Sequence, residues 1–257
     1  NFNIKTPETD ILFDSLFVDY PADYDFSDFV KTATLKADIN KSTHISYNDI
    51  KYFISDTTEY SEEILVSGKL KGSLNDLDIT DFIIENEDIL SLNLNAEIRD
   101  QSEFKDPFFN INIKNFSLDL EKVKNLKLPG QDELLANLPE EVNKIKNISY
   151  RGNTKGKLSK FITNGELAGN FGKIKINAIA KRDSVRLINV KGKLSGEDLD
   201  IAEILENNDI GFLTFNQEID FTYLSGKKIK LNTSGKIDNI TYKNFTYRDI
   251  DLYADMY

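Results

Sequence analysis

Residues 89–98 read ILSLNLNAEI, and every second residue is apolar: Leu90, Leu92, Leu94, Ala96 and Ile98. Between them stand Ser91, Asn93, Asn95 and Glu97. A strand points alternate side chains to opposite faces, so this segment predicts one oily face and one wet face. Fully burying an aliphatic side chain of this size is worth roughly 1.5–3 kcal/mol. Four of them together approach the lower end of a whole domain's net stability, roughly 5–15 kcal/mol. The apolar face therefore has to meet something: a packed core, a partner protein or a greasy ligand.

The same alternation recurs outward in both directions. Ala33, Leu35, Ala37 and Ile39 alternate with threonine, lysine and aspartate. Ile64, Val66, Gly68, Leu70, Gly72 and Leu74 form a longer row, and Phe109, Ile111 and Ile113 a shorter one. Ile148, Tyr150, Gly152, Thr154, Gly156 and Leu158 share a face, as do Gly172, Ile174, Ile176, Ala178 and Ala180. Ile219, Phe221 and Tyr223 complete the set. Period two repeated this often predicts antiparallel sheet with one solvated face.

Helical spacing arises twice. Leu134, Leu135, Leu138, Val142 and Ile145 follow the break at LPGQ, and Leu199, Ile201, Ile204 and Leu205 precede Asn207. The expected fold is all-β with small helical inserts, over four stretches: leading strands in 1–62, strand repeats in 63–130, a helical insert in 131–147, and glycine-rich strands in 148–257. The last stretch holds a small helix near 198–207. Similar glycine-led segments begin at Gly68, Gly152, Gly192 and Gly235, a spacing of about 42 residues or twice that, which suggests a quasi-repeating, elongated sheet. Gly68, Gly72, Gly152 and Gly156 lie on the apolar face, where they suit either bulges or the concave side of a curved sheet.

Composition narrows the chemistry. The 257 residues carry a formal charge of −11, which opposes unaided binding to nucleic acid and to an anionic membrane surface. With no Cys and a single His, His44, thiol chemistry, disulfides and multi-histidine metal sites are excluded. Asp76, Asp78 and Asp81 lack the glycine and terminal glutamate of an EF-hand loop. Asp198 and Asp200 suit either a carboxylate pair or the start of a helix. Phosphate-binding, nucleophile-elbow and zinc-protease motifs are absent, so no catalytic residue and no cofactor are expected. No run of 18 apolar residues occurs, and the opening NFNIKTPETD has no signal-peptide pattern, as expected of a segment from a longer chain.

Three segments carry a family resemblance. Residues 65–98, LVSGKLKGSLNDLDITDFIIENEDILSLNLNAEI, resemble the glycine-spaced strand segments of the TamB family within the AsmA-like group of bridge-like lipid-transfer proteins. Residues 138–180 look like that family's short helix followed by glycine-rich strand pairs, and residues 234–257 like its tyrosine-bearing repeat unit. The resemblance implies a strongly curved antiparallel sheet, a U-shaped groove or β-taco, in the periplasm of a diderm bacterium. The whole protein would be anchored in the inner membrane by an N-terminal helix outside this segment. It would work with an outer-membrane barrel of the TamA type.

The implied function is a non-enzymatic conduit that carries phospholipid between the two membranes. The implied groove lining is Val66, Leu70, Leu90, Leu92, Leu94, Ala96, Ile98, Phe109, Ile111, Ile113, Ile174, Ile176, Ala178, Ala180, Ile219 and Phe221. Two other readings compete with it. One is a scaffold for outer-membrane protein assembly that captures client strands at exposed sheet edges. The other is a β-solenoid enzyme acting on carbohydrate, with Asp198 and Asp200 as its acids.

Overall fold

Where the hydrophobic alternation changes phase, the chain bulges. The computed structural model describes residues 2–20, 32–49, 63–73, 75–87, 89–99, 106–125, 144–184, 187–224 and 228–256. Nearly all of them are antiparallel strand, as the alternation predicts. Residues 126–143, which include most of the expected insert at Leu134 to Ile145, lie outside the described residues. Two compact units, 1–136 and 137–257, divide the chain within that expected insert.

The first unit runs β1 (Phe2–Lys5), β2 (Asp10–Asp19), β3 (Thr34–Ile39), β4 (His44–Ser46), β5 (Glu63–Gly72), β6 (Leu77–Asn86), β7 (Leu90–Arg99) and β8 (Phe108–Asp119). Its main strand order is β1-β2-β3-β5-β6-β7-β8, with β4 bridging β2 and β5. A short helix, α1 (Leu120–Asn125), ends the described part. Asp119 caps it by accepting the N–H of Lys122 at 2.9 Å. Helical spacing alone does not reveal α1, because six residues hold too few periods to register; the readable cue is the Asp cap.

The second unit is a meander of β9 (Asn147–Lys157), β10 (Lys160–Gly169), β11 (Gly172–Ser184), β12 (Leu187–Asp200), β13 (Ile210–Leu224), β14 (Lys228–Tyr242) and β15 (Phe245–Met256), each paired to the next. Between β12 and β13 lies α2 (Ile201–Leu205). Leu199, expected on the helix, lies in β12 and pairs with Leu213, so α2 falls inside the expected span but is shorter than it. Asp200 caps it, accepting the N–H of Ala202 at 3.2 Å, and Glu206 ends it in the left-handed region. Gly68, Gly152, Gly192 and Gly235 stand in β5, β9, β12 and β14, so the double spacing spans four strands while the two single ones span three and two. The spacing is not a structural period, because strands lengthen from 10 residues at β5 to 15 at β13 and β14.

The phase changes follow one rule. In β6 the apolar set is Leu77 and Ile79, then Phe82 and Ile84; in β8 it is Ile111 and Ile113, then Phe116 and Leu118. Odd numbers give way to even ones, which in a regular strand would turn the second half to water. Register shifts absorb the step. Thr80 and Asp81 together oppose Asn95, Lys114 is the extra residue of β8, and Glu197 with Asp198 opposes Thr214. Asp14 in β2 and Asp238 in β14 fill the same place. Asp81, Asp198 and Asp249 have φ of 48°, 48° and 54°, a left-handed conformation that aspartate tolerates better than most side chains. Each bulge returns the following apolar residues to the face of the preceding ones.

Candidate functional site

In each unit, register joins these half-strands into rows that cross the sheet. Residues directly opposite in an antiparallel pair share a face and touch. In the first unit one row runs Leu16, Ala37, Leu70, Ile79, Ala96 and Ile111 over six strands. A second runs Val18, Leu35, Gly72, Leu77, Ile98 and Phe109, and a third Val66, Ile84, Leu92 and Phe116. Leu94 lies between Phe82 and Ile113, and Leu90 opposite Leu118. Every lining residue expected in this unit falls on this single face.

The second unit repeats the arrangement. Phe161, Ala180, Val190, Phe221, Leu231 and Met256 form one row, and Leu167, Ile174, Gly196, Phe215, Ile237 and Ile250 another. Between them lie two more rows. One contains Ile176 and Leu194; the other contains Ala178, Gly192 and Ile219. The six lining residues expected here therefore share one face as well. Residues that continue the face beyond the expected rows, such as Phe82, Phe116 and Phe215, sit past a phase change or in stretches of strand outside those rows.

Both faces are only half covered. Of the sixteen expected lining residues, Ala96 and Ala178 are buried and the other fourteen are intermediate in exposure. Among the described residues, Phe171 and Leu199 are the large apolar side chains that are fully buried, each 4% exposed. The contacts between described elements are chiefly those of neighbouring strands, with α1 on β8 and α2 on β13. A closed sandwich, by contrast, interdigitates side chains from two inner faces and buries both.

The apolar face of the second unit carries two polar spots. Gly152 and Gly165 pair on it, and a Cβ on either would come within 2.6 Å of the Tyr150 hydroxyl or closer. Tyr150 thus fills the gap that the two glycines leave, and its hydroxyl meets Thr163 Oγ1 at 3.0 Å, which in turn meets Thr154 Oγ1 at 3.0 Å. The second spot is Gln217, 6% exposed, between Leu194 on β12 and Gly235 on β14. Thr233 Oγ1 donates to its Oε1 at 3.0 Å, while its Nε2 has no hydrogen-bond partner among the described residues.

The opposite faces are polar and laced with exposed ion pairs. Lys191 reaches Asp220 at 2.6 Å and Lys193 reaches Glu218 at 3.1 Å, beside a depression of about 570 Å³. Arg99 bonds Asp78, and Lys114 bonds Asp81. Hydrogen bonding and charge from Lys114 hold the Asp81 carboxyl below the usual carboxylate range; hydrogen bonds from Lys191 and Asn189 do the same for Asp220. Asp78 raises the Arg99 guanidinium further. Exposed pairs of this kind contribute little each.

The residues weighed for chemistry have structural employment. Asp200 caps α2, and Asp198 sits in its bulge bonded to Thr214. His44 pairs in β4 with Asp10 and Leu65. Among the described residues no group of three or more His, Asp or Glu side chains is placed to hold a metal ion. Nor is any described helix long and apolar enough to cross a membrane. No family model, curated protein or solved structure matches the chain.

Proposed function

We propose that the chain is a non-enzymatic lipid-transfer element whose apolar sheet faces carry phospholipid acyl chains between the inner and outer membranes of a diderm envelope. The supporting observation is the six-strand row from Leu16 to Ile111, registered on one face whose large side chains remain only half covered. Covering such a face removes apolar area from water, a non-directional gain that suits a mobile alkyl chain. The resemblance to TamB proteins names the setting: the periplasm, with a TamA-like barrel as partner.

The test is mass spectrometry of lipids extracted from the chain after detergent-free isolation. Stoichiometric phospholipid in the wild type, lost in folded Leu94→Asp and Ile176→Asp variants, is the expected result. A stably folded wild-type chain carrying no lipid overturns the reading.

A second reading, capture of client strands during outer-membrane protein assembly, draws on β15. Its outer edge has no strand partner among the described residues, and Phe245 and Tyr253 are 69% and 78% exposed. Site-specific crosslinking from β15 to nascent barrel strands, with no lipid bound, would favour it.

A further inference from the structure

We infer that Gln217, held by Thr233, is a reading point for the carbonyl oxygen at the head of an acyl chain. The inference rests on the lipid-transfer reading of the same face. Gln217 is a polar residue in an apolar row, paired directly with Leu194, and flanked along β13 by Phe215 and Ile219 on the same face. Leucine would fill that place without leaving a buried donor unpaired, and buried polar groups in native proteins are almost always bonded.

The geometry fits a visiting acceptor. The Thr233 hydroxyl has one proton to give and shares it between Gln217 Oε1 at 3.0 Å and the Glu218 carbonyl at 3.1 Å, which holds the Oε1 end of the carboxamide. Among the described residues the Nε2 end has no partner, so both its N–H groups are unused there. Directly across β14 stands Gly235, at φ 154°, where a Cβ would meet Asn216 O at 2.2 Å and Gln217 Cα at 3.0 Å. No side chain can occupy that place, so position 235 adds nothing over the amide, although the amide is itself buried. The terminal torsion of glutamine is soft, and a modest rotation hinged on Thr233 presents Nε2 to the face.

An alkyl chain lying on the neighbouring Leu194, Ile219 and Phe215 would gain from apolar contact, but it could not satisfy an N–H. An acyl carbonyl satisfies it. Two sources share that chemistry, an ester-linked acyl lipid and a free fatty acid, and both join the acceptor to the alkyl chain.

The experiment is displacement of an apolar fluorescent dye from the full chain by methyl myristate, by myristate and by pentadecane. Wild type is expected to bind at least one carbonyl probe about fivefold more tightly than pentadecane, the worth of one net hydrogen bond. The tighter of the two carbonyl probes identifies the source. Gln217→Leu should erase the preference, the carbonyl probes then binding no more tightly than pentadecane, and Thr233→Val should narrow it. Equal affinity for all three probes in wild type, or a preference that survives in both variants, overturns the inference and leaves the conduit reading intact. Failure of every probe to displace the dye overturns both.

Discussion

Asp81 donates its backbone N–H to the side-chain oxygen of Asn95 at 2.7 Å, and Asn95 is the single residue that faces the bulge. Asp198 repeats the relationship with Thr214, donating to its Oγ1 at 3.0 Å. In both, the opposing strand supplies a polar side chain to the N–H that the bulge withdraws from the ladder. A left-handed aspartate and a polar residue opposite it together make a phase change tolerable.

Asp81→Val places a β-branched side chain at φ 48° and should destabilise the first unit by about 1–3 kcal/mol. Asp81→Gly, which removes the steric penalty, should stay within about 1 kcal/mol of wild type. Deleting Asp81 should be far worse than either, because Phe82 and Ile84 would turn to the polar face. Urea midpoints, compared at constant slope, separate the three.

Gly165→Ala would drive a Cβ to 2.5 Å from the Tyr150 hydroxyl and 2.6 Å from the Arg151 carbonyl, and should destabilise the second unit. Tyr150→Phe loses the bond to Thr163 and should cost about 0.5–1.5 kcal/mol. If the ring oxygen is the main obstacle, the double variant should recover part of the glycine penalty. A double-mutant cycle reads that coupling directly.

Leu199→Ala should be among the most damaging substitutions in the second unit, at about 2–5 kcal/mol. Its side chain is 4% exposed and lies against the positions where Gly172 and Gly196 have no side chain, next to the α2 cap. Ile188→Ala, on the same sheet face but 36% exposed, should cost much less. Thermal or urea unfolding of the pair compares a filled corner with an open face.

Acid should weaken the sheet through Asp81 and Asp220, whose carboxyls sit below the ordinary value of about 3.9. A depressed folded value means the unfolded chain takes up protons first. Their contribution is therefore complete above about pH 4 and fades as pH falls through the folded values. Asp220→Asn should flatten that part of the stability-against-pH curve and leave neutral pH nearly unchanged, because both carboxylates are solvent-screened.

Alternation over ILSLNLNAEI is a property of one strand, so the sequence alone determined strand type, antiparallel class and the face on which Leu90 to Ile98 lie. It also placed α2, whose Asp cap is local, although Leu199, expected on that helix, lies in β12. Phase changes were harder to read, since a shift from Ile79 to Phe82 looks like a broken pattern until a bulge is placed. In β8 the expected lining accordingly stops at Ile113, although Phe116 and Leu118 continue it.

Only tertiary structure decided which residues become neighbours across strands. The row from Leu16 to Ile111 and the meeting of Gln217 with Thr233 depend on register, which pairing between distant segments sets and no single segment encodes. The physical reason lies in range. A strand's two faces follow from backbone geometry repeated every two residues, whereas a row follows from where each bulge lets one strand slide against the next.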